Sequence, residues 1–261
     1  MPEGHTIHGL ARAMAELVDR DVSASSPQGR FDAGRVDGAH LTGIEAYGKH
    51  LLIDTAGAAA SAESTVHVHL GMRGKWLRFS PVTGPGLPQV RLRLATPEVA
   101  WDLIAPSACD LFDSEQRSAL VARLGPDPLR PGADVEEARR RIAEFSGPIG
   151  AALLDQGVVA GVGNVFRAES LHACRIAPDR PASAVSDAEF DQLWATLTAM
   201  MTTAVDEGRI ITVDADDRLA VPEDQSRRVY KQQACYDCGT PVVTSTVGGR
   251  TSYTCPRCQA R

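Results

Sequence analysis

Four cysteines near the C-terminus constrain this chain more than any other stretch. Cys235-Tyr236-Asp237-Cys238 and Cys255-Pro256-Arg257-Cys258 are two C-x2-C pairs with sixteen residues between them. Each pair forms one turn presenting two thiolates, and two such turns make a tetrahedral zinc site. Between them, β-branched Val242, Val243, Thr244, Thr246 and Val247 supply strands, Gly248-Gly249 supplies a hairpin turn, and Arg250 follows it. The spacing predicts a zinc-ribbon β-hairpin over residues 227–261 holding one structural zinc ion. Four thiolate ligands leave no open position for catalysis. The metal supplies the folding energy that a segment of about 30 residues lacks. Cys109 and Cys174 stand alone and read as buried structural thiols, and the whole usage fits a reducing compartment.

Upstream, the hydrophobic period changes twice. From His5 to Asp19, apolar Ile7, Leu10, Ala11, Met14, Leu17 and Val18 recur at helical spacing. From Val22 to about Phe112 the pattern is of short strands: Leu41–Tyr47, His50–Thr55, Val66–Leu70, Lys75–Ser80, Arg91–Ala95 and Val99–Ile104, with Gly84-Pro85-Gly86 marking a loop. A β-sandwich or barrel is expected. Leu124-Gly125-Pro126-Asp127-Pro128-Leu129 breaks the chain, with Arg123 just before it. Helices are predicted beyond, at Val135–Phe145, Ile149–Gln156, Asn164–Cys174 and Asp187–Glu207. Ser186 and Glu189 form a capping box for the last, and Gly208 ends it. Residues 214–226 read as a mobile loop and linker. The expectation is an α+β chain of three parts: residues 1–122, 123–226 and 227–261. No signal peptide and no membrane span is expected.

A formal net charge of −6 argues mildly against a nucleic-acid partner. The average hides a gradient, since local positive faces set phosphate affinity. Between Gly71 and Pro97 lie Arg73, Lys75, Arg78, Arg91 and Arg93 with no acid. From Arg227 to Arg261, six basic residues face one acid, Asp237.

Several stretches carry chemistry. If Met1 is removed, Pro2 exposes a secondary amine that attacks an aldehyde-like carbon and forms an iminium ion, a strong electron sink. Retained Met1 turns that nitrogen into an unreactive amide. Glu3 lies one residue away, placed to move protons. Tyr47-Gly48-Lys49-His50 is a tight turn carrying one lysine. His67 and His69 share a strand face; with no third ligand or nearby carboxylate evident, they read as strand-face residues. The turn His69-Leu70-Gly71-Met72-Arg73-Gly74 presents Met72 and Arg73; Met72 reads either as a core residue or as an apolar wedge for a base stack. In Gln156–Asn164 the glycines permit close backbone approach, and Asn164 is expected to cap a helix whose amide-rich start is an anion site.

Together these segments resemble the formamidopyrimidine-DNA glycosylase/endonuclease VIII family of bacterial base-excision repair enzymes. The resemblance spans the chain: Met1-Pro2-Glu3-Gly4, Tyr47-Gly48-Lys49-His50, His69-Leu70-Gly71-Met72, Arg123 to Leu129, Leu154-Asp155-Gln156 with Gly161-Val162-Gly163-Asn164, and Arg250-Thr251-Ser252-Tyr253 running into the second cysteine pair. It implies an N-terminal helix and β-sandwich, a helix–two-turn–helix domain and a zinc-ribbon hairpin. It also implies roles. Pro2 attacks the sugar C1′, Glu3 is the general acid, Lys49 assists β-elimination and Arg250 assists δ-elimination. Arg123 and Asn164 contact the DNA backbone, and Met72 fills the gap left by a flipped nucleotide. The implied partner is double-stranded DNA with oxidised bases or abasic sites, engaged by a monomer in the bacterial cytoplasm at the nucleoid. Gly4-His5-Thr6 and Gly48-Lys49-His50 resemble the endonuclease VIII branch, which favours oxidised pyrimidines. Met72 resembles the wedge of the other branch, which favours 8-oxoguanine, and residues 208–230 resemble neither closely. The residues alone also allow a non-catalytic zinc-ribbon protein that binds damaged or bent DNA.

Overall fold

Strand β1 (Arg20–Ser25) serves two sheets, and this makes a sandwich of the N-terminal region. In the computed structural model, which describes residues 2–57 and 64–260, the first half of β1 pairs with β2 (Ala39–Tyr47) and the second half with β6 (Val90–Ala95). From β2 the antiparallel order continues through β3 (His50–Ala56) and β4 (Ser64–His69) to β8 (Ala108–Phe112). From β6 it continues through β7 (Ala100–Ile104) to β5 (Lys75–Phe79). A strand that switches sheets forms the corner where two inner faces can close on one core. Leu41, Ile53 and Val68 come from one sheet, Leu92, Trp101 and Leu103 from the other, and Ile7, Met14 and Leu17 from the N-terminal helical segment. Each such side chain contributes about 1.5–3 kcal/mol on burial.

The chain falls into two compact units, one of Met1–Pro2 and Ile7–Arg123, the other of Glu3–Thr6 and Leu124–Arg261. Helix α1 (Gly4–Met14) begins in the second and continues into the first; it is shorter than its apolar period suggested, giving way to a 3-10 turn at Ala15–Leu17. β1 and β8 were not marked by alternation, and neither was helix α2 (Ser114–Arg123), which buries only Leu120. Its signal was a capping pair: Asp113 accepts the Gln116 amide at 2.8 Å and donates its own amide to the Gln116 side chain at 3.0 Å. Arg117 then fastens α2 to Asp54 of β3 and to Glu45 of β2.

The second unit packs α3 (Val135–Ala143), α4 (Ile149–Ala152), α5 (Asn164–Ala173) and α6 (Asp187–Glu207) around Phe166, Leu171, Leu193 and Leu197. The Ser186–Glu189 capping box is present, and Gly208 ends α6 in the left-handed region at φ 70°. α4 stops four residues before the predicted Gln156. The Gln156 side chain instead organises the following turns, donating to Val162 O at 3.0 Å and accepting from Gly161 N at 3.0 Å. β9 (Val243–Val247) and β10 (Arg250–Thr254) form the terminal hairpin, turning at Gly248-Gly249 with both φ positive. Among the described residues no helix is long and apolar enough to cross a membrane.

The two basic stretches are less positive than counting suggested, because much of their charge is paired. Arg78 binds Glu16 through two nitrogens at 2.7 and 2.8 Å. Arg93 is buried against Asp102 at 3.2 Å, and Arg91 donates to Gln28. Near the C-terminus, Arg227 is buried and pairs with Glu223, and Arg228 pairs with Asp214 and Asp237.

Candidate active site

The start of α5 is an anion site, and the chain fills it with its own Glu3. Asn164 was expected to cap this helix; Gly163 is the N-cap instead and has no side chain to offer. The Glu3 carboxylate accepts from Gly163 N at 3.0 Å, Val165 N at 2.9 Å and Phe166 N at 3.3 Å, and Glu3 is 0% exposed. These are charge-assisted bonds at the positive end of a helix, which is what makes burying a carboxylate there tolerable. A Cβ at position 163 would lie 2.3 Å from Glu3 Cδ, so only glycine admits the carboxylate. Gly4 is held the same way: its amide donates to Gly161 O at 2.8 Å, and a Cβ on it would meet Gly161 Cα at 2.9 Å. The glycines expected to permit close backbone approach thus form a cradle for the N-terminal segment. His5 packs edge-on against Phe166, and burial, helped by Arg227, pushes its pKa down to about 4, leaving it neutral at physiological pH. Half-buried Pro2 directly precedes anchored Glu3.

The same helix seats the hairpin. Asn164 donates through Nδ2 to Thr251 O at 3.0 Å. Arg167, which the sequence reading missed, is fully buried and donates to Val247 O at 2.9 Å and Thr251 O at 2.7 Å. Those two carbonyls flank the Gly248-Gly249-Arg250 turn, so the position of exposed Arg250 is set from α5. Burial and nearby Arg250 lower the Arg167 pKa to about 10, which keeps the guanidinium charged at neutral pH. Glu169, also missed and also fully buried, accepts from Arg228 N at 2.8 Å, Val229 N at 3.0 Å, Tyr230 N at 2.7 Å and the Thr212 hydroxyl. The signal was present: Asn164, Arg167, Glu169, Ser170 and His172 are polar residues interleaved with apolar ones in a single helix.

In the sandwich unit, Gly48-Lys49 is a two-residue turn between β2 and β3, closed by the Tyr47–His50 pair, with Gly48 at φ 59°. Lys49 is half-buried at its tip. His67 and His69 do share a face of β4, and the fold adds two groups that the sequence did not suggest. His50 Nδ1 lies 2.8 Å from His67 Nε2, and Asp110 of β8 lies 3.4 Å from His67 Nδ1. Burial pushes the His50 pKa down to about 3, helped by His67, His69, Arg123 and Lys49. Arg123, exposed at the end of α2, and Lys49 therefore bear on the same imidazole. Met72 is 73% exposed in the turn after β4. That turn needs Gly71, at φ 65°, and Gly74, where a Cβ would lie 2.3 Å from Leu70 O.

The four cysteine sulfurs lie within 4.8 Å of one another, and among the described residues this is the group whose donor atoms converge for a metal. The Cys235–Cys258, Cys238–Cys255 and Cys238–Cys258 sulfur separations of 3.9, 3.5 and 3.5 Å bracket the roughly 3.8 Å expected for sulfurs each about 2.3 Å from one zinc. The donor set fits zinc.

Comparison with known proteins agrees with this anatomy. The Formamidopyrimidine-DNA glycosylase N-terminal domain family matches residues 1–103, and the Formamidopyrimidine-DNA glycosylase H2TH domain family matches residues 124–215. The Mycobacterium tuberculosis protein Endonuclease 8 1 is 40% identical, the match covering 99% of this chain and 100% of that one. Formamidopyrimidine-DNA glycosylase of Methylococcus capsulatus is 31% identical over 85% of this chain and 83% of its own. In fold, the chain matches the Lactococcus lactis Fpg (MutM) protein complexed with DNA containing N7-benzyl-Fapy-dG, with a TM-score of 0.79, 20% identity and full coverage of both chains. With the Fpg-like fold and the near full-length identity to Endonuclease 8 1, the chain belongs to the formamidopyrimidine-DNA glycosylase/endonuclease VIII family of DNA-repair glycosylases.

Proposed function

We propose that the protein excises oxidised bases from double-stranded DNA, oxidised pyrimidines in preference, and then cleaves the strand as a lyase through a Schiff base on Pro2. The observation that carries this reading is the clasp of Glu3 by the α5 amides. A carboxylate buried with such precision one residue after a secondary amine suits proton traffic at that amine better than it suits stability alone. The name of the 40%-identical relative, Endonuclease 8 1, supports the pyrimidine preference.

A base inside a stacked duplex is out of reach, so the nucleotide is extruded and Met72 fills the gap. With Met1 removed, Pro2 is an α-amine, whose ordinary pKa of about 8 leaves part of it unprotonated at neutral pH. Its nitrogen bonds to C1′ as the C1′–N bond to the base breaks, and the base leaves as an anion that takes a proton from water. The Glu3 carboxylate accepts the Pro2 N–H proton and then, as general acid, delivers it to O4′ as the C1′–O4′ bond opens to leave the iminium. The iminium then acidifies the C2′ hydrogen. Lys49 assists loss of that proton, and the 3′ phosphate leaves by β-elimination. Arg250, held at the hairpin tip by Arg167, binds the 5′ phosphate and assists its departure by δ-elimination. Arg123 and Asn164 grip the DNA backbone beside the lesion. Zinc held by Cys235, Cys238, Cys255 and Cys258 folds the ribbon that carries Arg250 and supplies no reacting group. The protein acts as a monomer.

Borohydride trapping tests the reading. Three labelled duplexes carry an abasic site, an oxidised pyrimidine or 8-oxoguanine. The expected result is a reduced covalent adduct with the first two and a weaker one with the third. Adducts at the abasic site alone would contradict the glycosylase reading, and no adduct from protein shown to begin at Pro2 would contradict both activities.

A further inference from the structure

Helix α5 carries one more buried polar side chain whose purpose the site above does not use. His172, in its last turn, is 2% exposed, with Nε2 3.3 Å from Cys235 Sγ and 3.8 Å from Asp237 Oδ2. Its Nδ1 is buried with no partner. His172 is outside the group of four converging donors, so it is not a fifth ligand. Two other sulfurs have neighbours from within the ribbon: the Cys258 amide donates to Cys255 Sγ at 3.4 Å, and Thr240 Oγ1 lies 3.3 Å from Cys238 Sγ. His172 is different because it reaches Cys235 from a helix 63 residues earlier in the chain.

We propose that His172 is a positioning residue for the zinc site, donating its Nε2–H to the Cys235 thiolate and so binding the metal centre to α5. The tautomer follows from the two nitrogens. A proton on Nε2 gives the thiolate a donor and leaves only a bare lone pair at buried Nδ1. A proton on Nδ1 would bury an unpaired N–H and turn a second acceptor toward a negatively charged sulfur, which costs more. Hydrogen bonds of this kind orient a ligand and temper its charge, and removing one typically costs 10–100-fold in metal affinity. The consequence is mechanical as well. Metal at Cys235 is fastened to the end of α5, whose opposite end clasps Glu3 and whose middle seats the Arg250 turn. Loss of zinc therefore loosens α5 itself, beyond the ribbon.

The inference rests on the cysteines being a zinc site, and its test begins by separating the two. Elemental analysis of the wild-type protein should give one zinc per chain; a metal-free wild type would overturn the zinc reading and this inference with it. Zinc transfer to a chromophoric chelator is then timed for the wild type and His172→Phe, and the sulfur-to-cobalt charge-transfer bands are recorded for both after cobalt substitution. Transfer about 10–100-fold faster in His172→Phe, with shifted bands, is the expected result. Equal rates and superimposable bands in a zinc-loaded wild type and a folded variant would overturn the role of His172 alone. Nitrogen-15 spectra of the histidine rings in zinc-loaded wild type decide the same point without a variant. A neutral His172 protonated at Nε2 is predicted, and one protonated at Nδ1 would overturn the inference.

Discussion

Along α5, charged side chains are buried and bonded to backbone partners; at the Lys49 and Met72 turns of the sandwich unit, the candidate residues stand at loop tips. Glu3 accepts three amides, Glu169 accepts three amides and a hydroxyl, and Arg167 donates to two hairpin carbonyls. Met72 has almost no cover, and what defines its turn is the backbone of Gly71 and Gly74. The difference teaches what each region does. Buried polar networks are costly when incomplete and rigid when satisfied, so the α5 region holds geometry. A tip as exposed as Met72 costs little to alter and can meet a partner.

The comparison breaks most sharply at Gly163. Gly163→Ala puts a Cβ where the Glu3 carboxylate sits, so borohydride trapping at an abasic site should fall about 100-fold, as expected for misplacing a catalytic group by roughly 1 Å. The helical unit should also lose about 1–3 kcal/mol, measured by chemical denaturation. Next in size is Glu169→Gln. It replaces a pure acceptor with a group that is half donor, leaves buried amides unpaired, and should cost the same unit roughly 3 kcal/mol; a change under about 0.5 kcal/mol would show that the network is not closed as described. At a turn tip the balance reverses. Met72→Ala should leave unfolding within about 0.5 kcal/mol of wild type while slowing excision from duplex DNA about tenfold through loss of the wedge. Equal rates on duplex and single-stranded lesions would remove the wedge role. The smallest effect is on pH. His50 is neutral in the fold with a pKa near 3 against 6.5 when free, so between those values the unfolded chain binds more protons. His67 and His69 are shifted downward too, by burial first. The sandwich unit should keep this stability above about pH 6.5 and lose it progressively toward pH 3, readable as a falling denaturation midpoint. His50→Phe should flatten that slope.

Much of this was legible before the fold. Turn residues, capping pairs and the cysteine spacing act locally, so Ser186–Glu189, Gly48-Lys49 and the ribbon could be read where they stand. β1 could not, because its role is to change partners midway between Leu41 and Ala95, a property of the assembled sheets. The α5 clasp was misassigned for a related reason. An asparagine at a helix start is a sound capping signal, but a carboxylate from 160 residues earlier took the site and freed Asn164 for the hairpin. Charge counting overstated the two basic stretches for the same cause, since Arg93 and Arg228 meet their acids only in three dimensions. His50 and Asp110 joined His67 through strand pairing, which no linear spacing announces.

The most direct test of the central claim is to locate the covalent bond. Protein beginning at Pro2 is trapped with borohydride on an abasic duplex, digested, and the modified peptide sequenced by mass spectrometry. The account predicts the reduced sugar on the Pro2 nitrogen, with Glu3→Gln lowering the yield and not moving the site. A sugar found on Lys49, or on any other lysine, would contradict it.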